Sequence, residues 1–101
     1  MSVLEQLDYT EEKGKDIGHQ LTVYALSTCG FCRNALKFLR ENQIQFKFVY
    51  MDKIDFDLKQ KVKEALEKKY DKRVVFPYLV IDELSVVVGY TEEEWKESLG
   101  V

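Results

Sequence analysis

The sequence predicts one α/β domain, a four-stranded mixed sheet with three main helices in the order β-α-β-α-β-β-α. Three observations lead there. Apolar runs of strand length alternate with segments whose apolar residues recur at helical spacing. The last two strand-like runs are separated only by a short polar turn, whereas the first two flank a helix. With 101 residues, 46% hydrophobic and 33% charged, the chain has the make-up of a single ordinary globular domain.

Residues 1–19 are mostly polar and broken by Gly14 and Gly18, and they read as an appended arm with a helical turn or two near residues 3–7. His19, at the end of the arm, is expected to be solvated. The domain proper covers residues 20–101. Its first strand, Leu21-Thr22-Val23-Tyr24-Ala25-Leu26, is nearly all apolar, as a central strand buried on both faces requires. Ser27-Thr28-Cys29-Gly30 interrupts it. Phe31, Ala35, Leu36, Phe38 and Leu39 then recur at helical spacing to near Asn42. Phe46, Phe48 and Tyr50 alternate with Lys47, Val49 and Met51, giving a second strand.

Asp55 and Asp57 open the next helix, at the positive end of its dipole. Its apolar stripe is Leu58, Val62, Ala65, Leu66 and Tyr70, and Lys68 and Lys69 close it. Tyr78-Leu79-Val80-Ile81 and Val86-Val87-Val88 form a hairpin around Asp82-Glu83-Leu84-Ser85. Thr91 and Glu94 make a capping box for a last short helix, from which Trp95 and Leu99 face inward. The first two strands are joined through a helix, so they should lie parallel with a right-handed crossover. The hairpin must be antiparallel, and helices should cover both faces of the sheet.

Net charge is −3, from 15 basic and 18 acidic residues. Residues 1–20 hold two Lys against five acids, so the folded body is neutral and nucleic acid is not the expected partner. Lys59, Lys61, Lys63, Lys68, Lys69, Lys72 and Arg73 fall in one helix and its exit, and read as a solvated face. No stretch approaches the roughly 20 apolar residues of a membrane span. The N-terminal residues lack a cationic start followed by an apolar run, so the expected compartment is a reducing cytoplasm.

The two cysteines sit three apart in Cys29-Gly30-Phe31-Cys32. A secreted miniature domain would carry more cysteines, spread along the chain. Cys29 lies where a buried strand turns into a helix, and the unpaired N–H groups of a helix N-terminus stabilise an anion. The thiolate is the attacking form, so this position suits a nucleophile. Cys32 follows one helical turn later, within reach of a mixed disulfide on Cys29. Gly30 and Phe31 leave the first turn accessible and partly apolar. A structural zinc site needs four ligands and no second cysteine pair exists, so no metal is expected. Pro77, the one proline, opens the third strand after Phe76. It reads either as an ordinary strand-initiating proline or as a cis-proline loop beside the cysteines, with the backbone of Phe76 free to pair with substrate.

In these elements the sequence resembles the glutaredoxins, over roughly residues 20–100, which implies a thioredoxin-like fold. The matching motifs are Ser27-Thr28-Cys29-Gly30-Phe31-Cys32, Phe76-Pro77, and Gly89-Tyr90 after the fourth strand. The resemblance implies Cys29 as nucleophile, Cys32 as resolving thiol and Pro77 as a cis-proline. It also implies substrate contacts from Gly30, Phe31, Phe76, Gly89 and Tyr90. The redox centre would be a reversible Cys29 to Cys32 disulfide, with no tightly bound cofactor.

The pattern also departs from the glutathione-using members. Leu26 stands where they carry a lysine, Val75-Phe76 where they have Thr-Val, and Gly89-Tyr90-Thr91-Glu92 where they have Gly-Gly, then Ser or Cys plus Asp. Glu92, Glu93 and Glu94 add negative charge where a carboxylate ligand would dock. Glycine and an aromatic residue at that point look like the glutaredoxin-like redoxins that serve ribonucleotide reductase. The expected activity is therefore dithiol reduction of protein disulfides by a cytoplasmic monomer, recharged by a thioredoxin-type reductase. Two alternatives stay open: a glutathione-dependent glutaredoxin, and an iron–sulfur cluster carrier on the same fold.

Overall fold

The computed structural model describes residues 3–101. Among them, strands β1 (Thr10–Glu12), β2 (Leu21–Ala25), β3 (Phe46–Tyr50), β4 (Tyr78–Ile81) and β5 (Ser85–Val88) form one sheet in the order β1-β3-β2-β4-β5. Helices α1 (Gly30–Glu41), α2 (Phe56–Tyr70) and α3 (Glu92–Leu99) cover it. Strand β4 pairs antiparallel with β2, and the parallel β2–β3 pair and the antiparallel β4–β5 hairpin match expectation.

The strand count does not. Five strands form instead of four, because the arm contributes β1, paired antiparallel to β3 with Glu12 opposite Phe46. Three polar residues carry no apolar alternation, so their sequence gives no strand signal. They are ordered by the free hydrogen-bonding edge of β3, and Arg40 on α1 pairs with the Glu12 carboxylate from Nε at 2.8 Å. Gly14 then passes so close to the main chain that an added Cβ would lie 2.5 Å from the Gln43 carbonyl oxygen.

Every residue of β2 is buried, which follows from its near-continuous apolar sequence and central place. Period-2 alternation splits the side chains between two cores. One face packs Val23, Ala25, Phe46, Phe48 and Leu79 against Leu36 and Leu39 of α1 and Trp95 and Leu99 of α3. The other packs Tyr24, Val49, Tyr78 and Val80 against Val62 and Leu66 of α2, with Leu4 and Leu7 of the arm sealing its rim. The expected capping box of α3 is present, with Thr91 Oγ1 accepting from the Glu94 N–H at 3.2 Å.

The β4–β5 turn holds Asp82 and Glu83 both at φ 57°. His19 is exposed, in line with expectation, and it also has a partner. Its Nδ1 lies 2.6 Å from Asp82 Oδ2, and Asp82 Oδ1 accepts the Gln20 N–H at 2.7 Å, so the end of the arm is tied to the hairpin. The acid and the imidazole are 63 residues apart in sequence, and only the register of β2 with β4 brings them together.

Candidate active site

Cys29 is the N-cap of α1, with extended backbone at φ −93° and ψ 121°. Its own sulfur fills the capping role that a serine or aspartate oxygen usually takes: Cys29 Sγ accepts the backbone N–H of Cys32 at 3.2 Å. The turn before it is closed by Cys29 N–H donating to the Leu26 carbonyl, also at 3.2 Å. Leu26 N–H in turn donates to Cys32 Sγ at 3.5 Å. The two sulfurs thus share one small backbone frame but differ in exposure. Cys29 is half-buried, whereas Cys32 is sealed in the α1 core at 0% exposure, and both are free thiols. Burial above all, reinforced by the hydrogen bond with Cys29, pushes the Cys32 thiol up to about 12.

The other sequence-predicted residues converge on the same sheet edge, and the strand registers show why. Tyr24 pairs with Tyr78, so the chain leaving β2 runs beside the residues entering β4. The Phe76-Pro77 peptide there is cis, and Pro77 is fully buried. Tyr78 pairs with Val88, which places Gly89 next to Pro77, and the Gly89 N–H donates to the Pro77 carbonyl at 2.8 Å. Gly89 has φ 74°, in the left-handed region, and an added Cβ would meet no atom within 4 Å beyond its chain neighbours. Backbone conformation therefore calls for glycine here. Phe76 and Tyr90, both half-buried, pack against the core cluster that also receives Cys29. Phe31 points outward at 65% exposure, and Gly30 has open space where a side chain would be.

Two contributors escaped the sequence reading. The Trp95 indole N–H donates to the Gly89 carbonyl at 3.0 Å, so α3 holds the turn after β5 from beneath. Asp52, in the helical turn Met51–Lys53 after β3, accepts the Ser27 N–H at 2.9 Å and also the Ser27 hydroxyl. Nothing in the sequence flags Asp52; it reaches Ser27 because β3 lies parallel to β2 and both chains leave at the same edge. A polar cavity of about 670 Å³, lined in part by Glu11, His19 and Thr22, lies at the opposite end of β2 and contains neither thiol. Among the described residues, no group of three or more His, Cys, Asp and Glu is placed to hold a metal ion. No helix among them is long and apolar enough to cross a membrane.

A protein-family model described as glutaredoxin matches residues 21–86. The chain belongs to the glutaredoxin family. Among solved structures it resembles the glutaredoxin of Methanosarcina mazei Go1 at 30% identity and TM-score 0.77, over 92% of this chain and 88% of that one. Methanoredoxin of Methanosarcina acetivorans matches at 26% identity and TM-score 0.71, over 88% and 97% of the two chains. A glutaredoxin from Archaeoglobus fulgidus matches at 32% and 0.65, over 76% and 82%. None of the curated proteins compared matches this sequence. The fold is thioredoxin-like, and Cys29 and Cys32 make this glutaredoxin-like protein a dithiol redoxin, with the thiol–disulfide chemistry general to its family.

Proposed function

We propose that this glutaredoxin reduces disulfides of partner proteins by a dithiol route, with Cys29 as nucleophile and Cys32 as resolving thiol. The reading rests on the unequal states of the two sulfurs: one half-exposed and capping a helix, the other buried and held protonated. Cys29 thiolate attacks one sulfur of the substrate disulfide; that bond breaks, and the leaving sulfur departs as a thiolate that takes a proton from water. Cys32 then gives up its proton and attacks Cys29 Sγ. The mixed disulfide breaks, a bond forms between Cys29 and Cys32, and the second substrate thiol is released. Two electrons have passed from the cysteine pair to the substrate. Gly30, Phe31, Phe76, Pro77, Gly89 and Tyr90 would supply the surrounding contacts, Phe76 and Tyr90 packing against the same core cluster as Cys29.

The electron donor in this reading is a thioredoxin-type reductase. Glutathione is an anionic tripeptide whose carboxylates need cationic side chains or free N–H groups. Leu26 is half-buried against the α2 core and offers no cation, and Glu92, Glu93 and Glu94 are exposed in the first turn of α3. The protein would act as a monomer in a reducing cytoplasm, on substrates such as ribonucleotide reductase. The test compares turnover of a protein disulfide with NADPH plus thioredoxin reductase against glutathione plus glutathione reductase. Faster turnover with the former supports the reading. Efficient saturation by glutathione below about 1 mM, the upper end of ordinary KM values, would replace it with a glutathione-dependent activity.

A further inference from the structure

The thiol pair is held by a hydrogen-bonded frame that ends outside its own loop. Leu26 donates its N–H to Cys32 Sγ and its carbonyl accepts the Cys29 N–H, so residues 26–29 set the position of both sulfurs. Ser27, the next residue after Leu26, is anchored by two bonds to one carboxylate: its N–H to Asp52 Oδ1 at 2.9 Å, and its hydroxyl to Asp52 Oδ2. Asp52 is fixed in turn by its place in the turn Met51–Lys53, whose Met51 is fully buried in the α2 core. The carboxylate thus joins the end of β3 to the loop that carries Cys29.

We propose that Asp52 is a positioning residue for the cysteine pair, acting through Ser27 to keep the turn over residues 26–29 in the geometry that presents one sulfur and buries the other. This rests on the dithiol reading above. The two Ser27 bonds, the hydroxyl first, hold the Asp52 carboxyl below its usual range, with the Lys53 charge helping. The acid is therefore ionised at neutral pH and remains a two-point acceptor. Its negative charge also adds, in a small way, to the burial that keeps Cys32 protonated. Asp52 touches no reacting atom; it acts on the frame.

The experiment measures alkylation rates of the two thiols separately, by mass spectrometry of the reduced full-length protein with iodoacetamide, between pH 6 and 10. The variants are Asp52→Ala, Asp52→Asn and Ser27→Ala. In the parent protein Cys29 should react faster than Cys32. Asp52→Ala, losing both acceptors, should lower the Cys29 to Cys32 rate ratio by about three- to tenfold, as expected for two exposed hydrogen bonds. Asp52→Asn keeps an acceptor for the Ser27 N–H and should recover most of the ratio. Ser27→Ala, which loses only the hydroxyl bond, should fall between, and it reports independently if Asp52→Ala does not fold. An unchanged ratio in folded Asp52→Ala, or in Ser27→Ala where the former is unfolded, overturns the role of Asp52. Equal reactivity of both thiols in the parent would instead overturn the assignment of nucleophile and resolving thiol.

Discussion

The sulfur of Cys29 accepts the backbone N–H of Cys32, so the thiol proposed as nucleophile is also the N-cap of the helix that carries its partner. The same sulfur therefore closes the first turn of α1 and faces the half-exposed side of the loop. Capping and reactivity thus depend on the same atom.

Exchange of the two cysteines for serine should separate their roles. Cys29→Ser should abolish disulfide reduction, whereas Cys32→Ser should accumulate a mixed disulfide between Cys29 and substrate. Non-reducing electrophoresis with mass spectrometry checks both. A Cys29→Ser variant that retains turnover would contradict the assignment.

Alkali should destabilise the reduced protein before it destabilises a variant lacking the buried thiol. Burial raises Cys32 from 9.0 to about 12 and Tyr78 from 10.0 to about 12. A group with a raised folded pKa contributes stability that is present below its unfolded pKa and lost as pH rises through its folded one. The urea midpoint should therefore fall between about pH 9 and 12, and fall less steeply in Cys32→Ala. Parallel curves for the two proteins would show that this thiol is not the sensitive group.

Leu26→Lys should bring glutathione within reach. One new charge-assisted contact is worth about 1.5–3 kcal/mol, so the KM for glutathione should drop about tenfold or more while thioredoxin-reductase turnover changes little. An unchanged KM would remove Leu26 from the account of donor choice.

Trp95→Ala should be the most damaging single change outside the cysteines. It empties the largest fully buried side-chain site and leaves the Gly89 carbonyl without its indole donor, at a cost of about 3–5 kcal/mol. Trp95→Phe keeps most of the volume and isolates the hydrogen bond, for about 1–3 kcal/mol. Denaturant titration followed by far-ultraviolet circular dichroism measures both.

Gly14→Ala tests the arm. The added Cβ would meet the Gln43 carbonyl at 2.5 Å, so either the arm or the α1–β3 connection must move. The expected loss is about 1–3 kcal/mol, with faster amide exchange in β1 than in the parent. Protection of β1 equal to the parent's would mean that the passage relaxes without detaching the strand.

Sequence alone determined the helices, four of the strands and the expected sites for redox chemistry, because each is written in local terms. Leu36, Leu39, Val62 and Leu66 fall at helical spacing, β2 is apolar throughout, and two cysteines one turn apart follow a strand. Tertiary structure alone decided the rest. Thr10, Glu11 and Glu12 become a strand only because β3 offers an open edge, and His19 finds Asp82 only through the register of β2 with β4. Trp95 was legible as an inward-facing helix residue, but its bond to the Gly89 carbonyl and those of Asp52 to the Ser27 N–H and hydroxyl carry no local signature, since the partners come from other segments. Periodicity records which face of an element is apolar. It does not record which distant backbone groups will need a donor or an acceptor once the strands have paired.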